Sequence, residues 1–213
     1  MDTSFITINT HSSIRLESKR GTVIYVDPYG FTTEPRDADL ILVTHTHFDH
    51  FSPEDIARVR KPQTAFVMPA TAMGEFIKAG FTSEDVAFLA PCEEAMPLPG
   101  IEVETVPAYN ANKRFHPKDN GWLGYVVDVD GTRVYIAGDT DDLPENREID
   151  CDIALVPAGG TYTMDAREAA AFINALKPAV AIPEHYGTVA GSADDGKTFA
   201  KLVDPGIEVV LKL

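Results

Sequence analysis

The chain has 213 residues, of which 44% are hydrophobic and 24% charged, so it can bury a sizeable core. We expect one domain over residues 1–213. The formal net charge of −15 argues against nucleic acid as a partner, because binding a polyphosphate relies on neutralisation by lysine and arginine. A small anionic substrate stays compatible with this charge, because a local cationic pocket can override the overall field.

The sequence shows no membrane-targeting segment. Residues 1–5 lack the basic region and apolar core of a signal peptide. No apolar run approaches the roughly 18–20 residues that span a bilayer. The two cysteines, Cys92 and Cys151, have no metal-ligand spacing and predict no disulfide framework. We therefore expect a cytoplasmic protein that contacts no membrane.

Apolar runs predict a chain that begins with strands and then alternates strands with helices. The turn residues Asp27-Pro28-Tyr29-Gly30 end the third strand. The predicted strands cover residues 5–9, 14–17, 22–27, 40–43, 65–68, 86–90, 101–106, 123–129, 133–137, 153–156, 180–183 and 207–211.

Capping residues and periodicity predict the helices. Ser52 is the expected N-cap of the first helix, with Pro53 in its first turn and Asp55 as the reciprocal acid. Asp165 and Glu168 form a capping box for the clearest helix, whose apolar residues recur along one face. The other two helices are expected over residues 71–79 and near 194–202.

Strands precede helices in each half of the chain, which favours a layered α/β fold with mixed sheets over a doubly wound Rossmann sheet. No Gly-x-Gly-x-x-Gly follows the first strand, and the sequence contains no P-loop. Nucleotide binding of those kinds is therefore disfavoured.

A histidine cluster follows the predicted buried strand 40–43, where residues 44–50 read Thr-His-Thr-His-Phe-Asp-His. Such a cluster can be incidental in a loop, but a strand end presents its loop rigidly to a cleft. The two histidines at 45 and 47 can point the same way from extended chain, while the aspartate and histidine at 49 and 50 can turn toward a second centre. Imidazole and carboxylate groups suit zinc and other first-row divalent ions.

One segment cannot fill two coordination spheres, so more distant ligands are required. Asp139 follows an apolar strand and Gly138, and His185 follows another strand end. Taken alone, Asp139 is also compatible with a turn and His185 with a structural histidine. His116 is the only histidine between the cluster and Asp139, and His11 lies near the N-terminus.

In this order, the motifs resemble those of the metallo-β-lactamase superfamily. The resemblance covers about residues 5–190 and implies a four-layer αββα sandwich with two mixed β-sheets and a metal cleft at one sheet edge. Further elements are similar to a compact branch that holds ascorbate-phosphate lactonase-like and uncharacterised metal-dependent hydrolases. The matching residues are His45-x-His47-x-Asp49-His50, Gly138-Asp139-Thr140 and His185 for the superfamily, and Asp27-Pro28, Tyr162-Thr163-Met164 and His185-Tyr186-Gly187-Thr188 for the branch.

The resemblance also implies a ligand set for two divalent ions. In the family, a third histidine of the first ion usually follows a strand end, yet the strand end at 106–110 has none. His116, six residues after Asn110, takes that role; Asn110 as a weak ligand, or a site one protein ligand short, stays open. The implied ligands are His45, His47 and His116 for the first ion, Asp49, His50 and His185 for the second, and Asp139 between them.

Three residues are candidates for contact with the substrate. His11 matches an N-terminal histidine frequent in this branch, which we expect beside the ligands or on the substrate; a structural histidine is the alternative. Lys113 and Arg114 belong to the basic segment 113–118, which would hold a phosphate or carboxylate if it borders the cleft. The alternative is a solvated loop.

The resemblance implies a hydrolase of a small ester, lactone or phosphoester, with Asp49 as the catalytic residue that orients or deprotonates water. Zinc is the expected metal, with manganese or iron as alternatives. A phosphodiesterase or nuclease, and a non-catalytic metal-binding module, are the other candidate functions. Redox di-iron relatives carry glutamate where this chain has His47, although iron-dependent sulfur dioxygenases share the histidine motif. The expected partner is a small molecule, and a homo-oligomer is left open.

Overall fold

The computed structural model describes residues 1–82 and 86–213. The first half of the chain forms a six-stranded mixed sheet in the order β1-β2-β3-β4-β5-β6. Neighbours are antiparallel from β1 to β3 and parallel from β3 to β6. Its strands are β1 (Ile6–Thr10), β2 (Ser13–Glu17), β3 (Val23–Val26), β4 (Ala38–Leu42), β5 (Arg60–Pro69) and β6 (Val86–Leu89).

The second half forms a seven-stranded mixed sheet in the order β13-β12-β11-β10-β9-β8-β7. Here the neighbours are antiparallel from β7 to β10 and parallel from β10 to β13. Its strands are β7 (Glu94–Leu98), β8 (Ile101–Pro107), β9 (Leu123–Val129), β10 (Thr132–Ile136), β11 (Ile153–Pro157), β12 (Val180–Glu184) and β13 (Glu208–Val209).

In the described part of the chain, four α-helices accompany the sheets: α1 (Pro53–Val59), α2 (Met73–Lys78), α3 (Ala166–Leu176) and α4 (Asp195–Leu202). The predicted capping box of Asp165 and Glu168 is present at the start of α3. Ser52 caps α1 as predicted, but Asp55 differs from its expected role. Its carboxylate accepts hydrogen bonds from the backbone N–H groups of Gly30 and Phe31, and so anchors the loop after β3 to the helix.

Three buried layers of apolar side chains hold the elements together. Between the sheets, Leu40 of the first sheet shares a cluster with Tyr125 of the second. The outer face of the first sheet packs on α1 and α2 through residues such as Phe66 and Phe76. Phe172 of α3 belongs to the corresponding cluster on the second sheet. The order of layers is helix, sheet, sheet, helix, which confirms the predicted αββα sandwich.

Several boundaries differ from the predicted ones. Strand β7 was not predicted, because it is an edge strand that contains Pro97 and has few apolar residues. Strand β5 begins at Arg60 instead of residue 65, since its first residues are polar and pair at an irregular register. The last strand covers only Glu208–Val209 of the predicted 207–211. Among residues 1–82 and 86–213, no helix is long and apolar enough to cross a membrane.

Candidate metal centre

The predicted ligands meet at one edge of the two sheets. The segment 44–50 follows β4, Asp139 follows β10, and His185 follows β12, all at the C-terminal ends of strands that have a parallel neighbour. His11 lies in the turn between β1 and β2, and His116 lies in the long connection from β8 to β9. Because the two sheets face each other, these strand ends and loops converge on one region.

Two glycines allow the close approach on which this convergence depends. A β-carbon at Gly138 would lie 2.9 Å from the carbonyl oxygen of Leu123 and 3.2 Å from Thr44 Cβ. A β-carbon at Gly159 would lie 2.2 Å from the carbonyl oxygen of His185. Both positions therefore require glycine, because any side chain would push strand ends apart.

The first group of ligand atoms contains three histidines and one carboxylate. His45 Nε2 lies 3.0 Å from His47 Nδ1 and 3.9 Å from Asp139 Oδ2. His116 Nε2 lies 3.1 Å from the same Asp139 oxygen. One ligand atom from each residue lies within 4.8 Å of the others, so His116 joins the residues with which the sequence grouped it.

The second group contains three histidines and Asp49. His50 Nε2 lies 3.9 Å and His11 Nε2 lies 3.2 Å from Asp49 Oδ2. The His185 ring packs 3.9 Å, centroid to centroid, from the ring of His11. Ligand atoms of these four residues also lie within 4.8 Å of one another.

His11 was expected beside the metal ligands or on the substrate, but the structure places it among the potential ligands. Its side chain is fully buried, and its Nε2 atom belongs to the second group. The backbone of His11 has φ of +52°, a left-handed conformation that turns the side chain into the cleft at the β1–β2 turn. His185 has φ of +57° and its N–H donates to the His11 carbonyl, which joins the two residues directly.

Asp139 lies between the two groups with one carboxylate oxygen facing each. Its Oδ2 atom faces His116, as described above. Its Oδ1 atom lies 3.2 Å from His185 Nε2 and 3.3 Å from His50 Nε2. A carboxylate so placed has the geometry of a bridge between two ions.

The donor atoms fit divalent metal ions. Zinc binds imidazole nitrogen and carboxylate oxygen at about 2.0–2.2 Å, so tetrahedral ligands are separated by roughly 3.3 Å. Five of the distances given above lie between 3.0 and 3.3 Å and match this spacing. The distances from His45 Nε2 to Asp139 Oδ2 and from His50 Nε2 to Asp49 Oδ2 are longer, at 3.9 Å. Several side-chain nitrogen and oxygen atoms of the two groups are buried and have no hydrogen-bond partner among the described residues. Buried polar atoms are rarely left without a partner, so these atoms are suited to bind an ion. These atoms are Nε2 of His11, His50, His116 and His185, and Asp139 Oδ1.

Asp27 orients His50 from outside the two groups. His50 Nδ1 lies 2.7 Å from Asp27 Oδ2, and Thr44 donates its N–H and its hydroxyl to the same carboxylate at 2.8 and 2.6 Å. A carboxylate on one ring nitrogen holds the proton there and leaves the other nitrogen free to bind metal. In the sequence, Asp27 is recognisable only as part of a turn and of the family resemblance, because its partner His50 lies 23 residues away.

Asn110 performs the same task for His116. Its Oδ1 atom lies 3.0 Å from His116 Nδ1 and accepts the His116 backbone N–H at 3.1 Å. The carbonyl oxygen of Tyr162 lies 3.2 Å from the same ring nitrogen. Asn110 therefore positions His116 through its Oδ1 atom, and these contacts favour that role over the alternative of Asn110 as a weak ligand. Trp122, which sequence reasoning missed, packs its ring on both His45 and His47.

The charges of the groups depend on burial and on their neighbours. Burial alone would raise the pKa of Asp139, but nearby His185 and His50 hold it well below the ordinary value. Burial alone would lower the pKa of His50, and the carboxylates of Asp139 and Asp27 instead raise it to about 10. Burial lowers the pKa of His45 and that of His47, so both are neutral at pH 7 and available as ligands.

A cavity of about 310 Å³ opens onto both groups. Asp49, Asp139 and three of the histidines line it, together with apolar side chains near its mouth. Neither cation expected to bind substrate lines this cavity. Lys113 forms an ion pair with the buried Asp141, and the exposed Arg114 lies 5.6 Å from the Phe115 ring centroid. Lys113 pairs with Asp141, 28 residues downstream, so its contact with a substrate anion stays a prediction that this ion pair does not favour.

The fold and the two groups of ligand atoms define a class that comparison with known proteins identifies. Residues 5–185 match the family model of the Beta-lactamase superfamily domain. A UPF0173 metal-dependent hydrolase of Thermococcus onnurineus is 32% identical over 186 residues, which cover 84% of this chain and 80% of the relative. The chain therefore belongs to the metal-dependent hydrolases of the metallo-β-lactamase superfamily, which confirms the resemblance found in the sequence.

Solved structures support the same assignment. The crystal structure of a candidate metal-dependent hydrolase from Parabacteroides distasonis has a TM-score of 0.81 at 33% identity, over 98% of this chain and 92% of the other. Igni18, a metallo hydrolase from the archaeon Ignicoccus hospitalis, has a TM-score of 0.74 at 26% identity, over 97% of this chain and 93% of the other.

Proposed function

We propose that this protein hydrolyses a small ester, lactone or phosphoester with the help of two divalent ions, zinc being the first candidate. One observation carries the proposal. Eight side chains form two groups of ligand atoms at one cavity, and Asp139 offers one carboxylate oxygen to each group. The relatives named as metal-dependent hydrolases support the reaction class.

Each side chain has a defined task in this reaction. The first ion would be held by His45, His47, His116 and Asp139, and the second by His11, Asp49, His50, His185 and Asp139. When bound, such ions supply a water of lowered pKa and polarise the oxygen of the group under attack. Asp49 lines the cavity beside the second group, where the carboxylate oxygen that does not face His11 would orient the attacking water and accept its proton. Asp27 and Asn110 would hold the Nδ1 proton of the neutral His50 and His116 rings, so that Nε2 of each ring could bind an ion.

The alternative of phosphodiester or nucleic-acid hydrolysis has less support. The net charge is −15, and no lysine or arginine lines the cavity among the residues described for it. A long polyphosphate would therefore meet no cationic groove beside the ligands. The alternative of a non-catalytic metal module has less support as well, because the ligand groups border a cavity large enough for a small molecule.

A substrate panel tests the proposed function. Protein that has been stripped of metal and then loaded with zinc, manganese or iron is assayed on simple lactones, phosphoesters and thioesters. We expect turnover of at least one class that depends on metal and that Asp139→Ala reduces by more than about a thousandfold, since the shared carboxylate supports both ions. Turnover that is equal in stripped protein, or that survives in Asp139→Ala, contradicts the proposal.

A further inference from the structure

An apolar rim surrounds the mouth of the cavity. We call Phe48, Phe115, Tyr162 and Val189 the apolar collar; all four line the cavity next to the ligand groups. Phe48 is 66% exposed, and Tyr162 and Val189 are more than a third exposed. Phe115 and Tyr162 pack edge to face with ring centroids 4.9 Å apart, which gives one wall of the collar a defined shape.

The arrangement of the collar indicates a small ligand. Large apolar side chains that stay exposed to water around a concavity usually mark a binding site. The cavity volume of about 310 Å³ suits a small molecule, and the ligand atoms at its base set the depth to which a reacting group can enter. A group attached to the reacting bond would therefore extend outward along the collar residues that line the cavity.

The charges around the cavity favour an uncharged group at that position. The ionisable carboxylates that line it are Asp49 and Asp139, and both belong to the ligand groups. Lys113 is engaged by Asp141 and also lies 3.6 Å from Glu168, so it is not free to turn toward the cavity. Arg114 lies 5.6 Å from the ring centroid of Phe115 but does not itself line the cavity. An anionic group in the collar would therefore lose its hydration among aromatic rings without a cation among the lining residues.

We infer that the collar binds an uncharged aromatic or branched aliphatic group, and that the substrate is a neutral ester or lactone carrying such a group. This inference rests on the proposed function for its reaction, but binding to the collar can be measured without turnover. It narrows the substrate class, because phosphorylated and dicarboxylic substrates become the disfavoured ones.

Hydroxamates test the collar independently of hydrolysis, because the hydroxamate group chelates the bound metal while its substituent projects outward. Zinc-loaded protein is titrated with acetohydroxamate, phenylacetohydroxamate, 4-methylpentanohydroxamate and succinic monohydroxamate. The last two have nearly the same shape and differ in charge. We expect the phenyl group to tighten binding by about tenfold, as partial burial of an aromatic ring does. The 4-methylpentanoyl compound should bind more tightly than the succinyl compound.

Variants locate the effect. In Phe48→Ala, the affinity for phenylacetohydroxamate should fall by at least about threefold. The affinity for acetohydroxamate should be unchanged. Ile77→Ala is the matched control, because Ile77 is 65% exposed and lies on α2 outside the cavity lining. Hydrolysis is measured on the nitrophenyl esters of acetic, phenylacetic, 4-methylpentanoic and succinic acid. Their kcat/KM values should follow the same order as the affinities of the four hydroxamates.

The outcomes separate the two proposals. Tighter binding or faster hydrolysis of the succinyl compound than of its neutral counterpart overturns the inference while the hydrolase proposal stands. Zinc-dependent hydroxamate binding with the expected preference, but without turnover of any ester, supports the collar and contradicts the proposed reaction. A change in sedimentation of Phe48→Ala, without a change in hydroxamate affinity, shows that the collar contacts a second copy and also overturns the inference.

Discussion

Replacing Asp27 with asparagine should disturb the metal centre although no proposed metal ligand is replaced. Asp27 Oδ2 receives both the Thr44 hydroxyl and the His50 Nδ1 contact, while Oδ1 receives the Thr44 backbone N–H. The amide of asparagine fits this site in either orientation, but its NH₂ group then faces one of these donors. If the NH₂ group faces the Thr44 backbone N–H, buried donors are left unpaired. If the NH₂ group faces His50 Nδ1, this nitrogen must accept, and the histidine proton moves to Nε2, where the metal should bind.

Both orientations have a measurable cost. A buried unpaired donor costs about 1–3 kcal/mol, and loss of an outer partner of a metal ligand weakens metal affinity by roughly 10–100-fold. We therefore expect Asp27→Asn to lose about 2 kcal/mol of unfolding free energy in the metal-free protein. Its zinc affinity should fall by more than about tenfold. Urea unfolding measures the first quantity, and competition with a chromophoric zinc chelator measures the second.

The control for this variant is Asp152→Asn, which also removes a carboxylate that accepts a backbone N–H, here from Arg133. Asp152 lies outside both ligand groups, so zinc affinity should be unchanged. If Asp27→Asn binds zinc within about twofold of the wild type and unfolds at the same urea concentration, Asp27 does not hold the His50 proton, and the orientation argued for the second group is wrong.

Three further predictions follow from the same geometry. Asn110→Ala removes the partner of His116 Nδ1 and should lower zinc affinity of the first group by roughly tenfold, measured by the same competition. Gly159→Ala should destabilise the fold by more than about 2 kcal/mol in urea unfolding, because its β-carbon would overlap the His185 carbonyl. Zinc binding should release at least one proton near pH 7, since the raised pKa of His50 leaves it protonated without metal; calorimetry in buffers of different ionisation enthalpy counts that proton.

The pH dependence has a definite sign. The pKa of His50 in the metal-free fold, about 10, lies above its ordinary value, so the proton stabilises this fold fully below about pH 6.5. That stabilisation declines as the pH rises through about 10, while apparent zinc affinity rises over the same range because the competing proton is lost. Metal-free protein that gains stability from pH 7 to 10, or zinc affinity that falls, contradicts this assignment.

Two of the variants above have matched controls. Asn112→Ala is the control for Asn110→Ala, since Asn112 is exposed. Gly206→Ala is the control for Gly159→Ala, since Gly206 has no neighbour at its β-carbon position.

Local sequence patterns predicted most of the fold because its strands and helices follow the expected periods. The capping box at Asp165 and Glu168 and the apolar runs of β4, β10 and β12 are local signals, and they indicated a layered α/β fold with mixed sheets. The αββα order of the layers came from the family resemblance. Strand β7 was missed because its pairing with β8, and not apolar periodicity, defines it.

The candidate ligands that follow strand ends were predicted from the sequence. The features that depend on contacts between distant residues were missed. His45 to His50, Asp139 and His185 are recognisable because each follows an apolar run. No local pattern shows that the left-handed backbone of His11 directs its ring inward, or that Asp27 reaches His50. Likewise Lys113 reads as a free cation until the fold brings Asp141 to it.

Metal analysis of the purified chain tests the central claim most directly. Protein reconstituted with zinc and freed of excess ion is measured by elemental mass spectrometry, together with Asp139→Ala prepared in the same way. We predict about two zinc ions per wild-type chain and fewer than one in the variant, because each ligand group loses the carboxylate oxygen that they share. A wild-type content of one ion or less, or equal contents in the two proteins, would contradict a two-metal centre joined by Asp139.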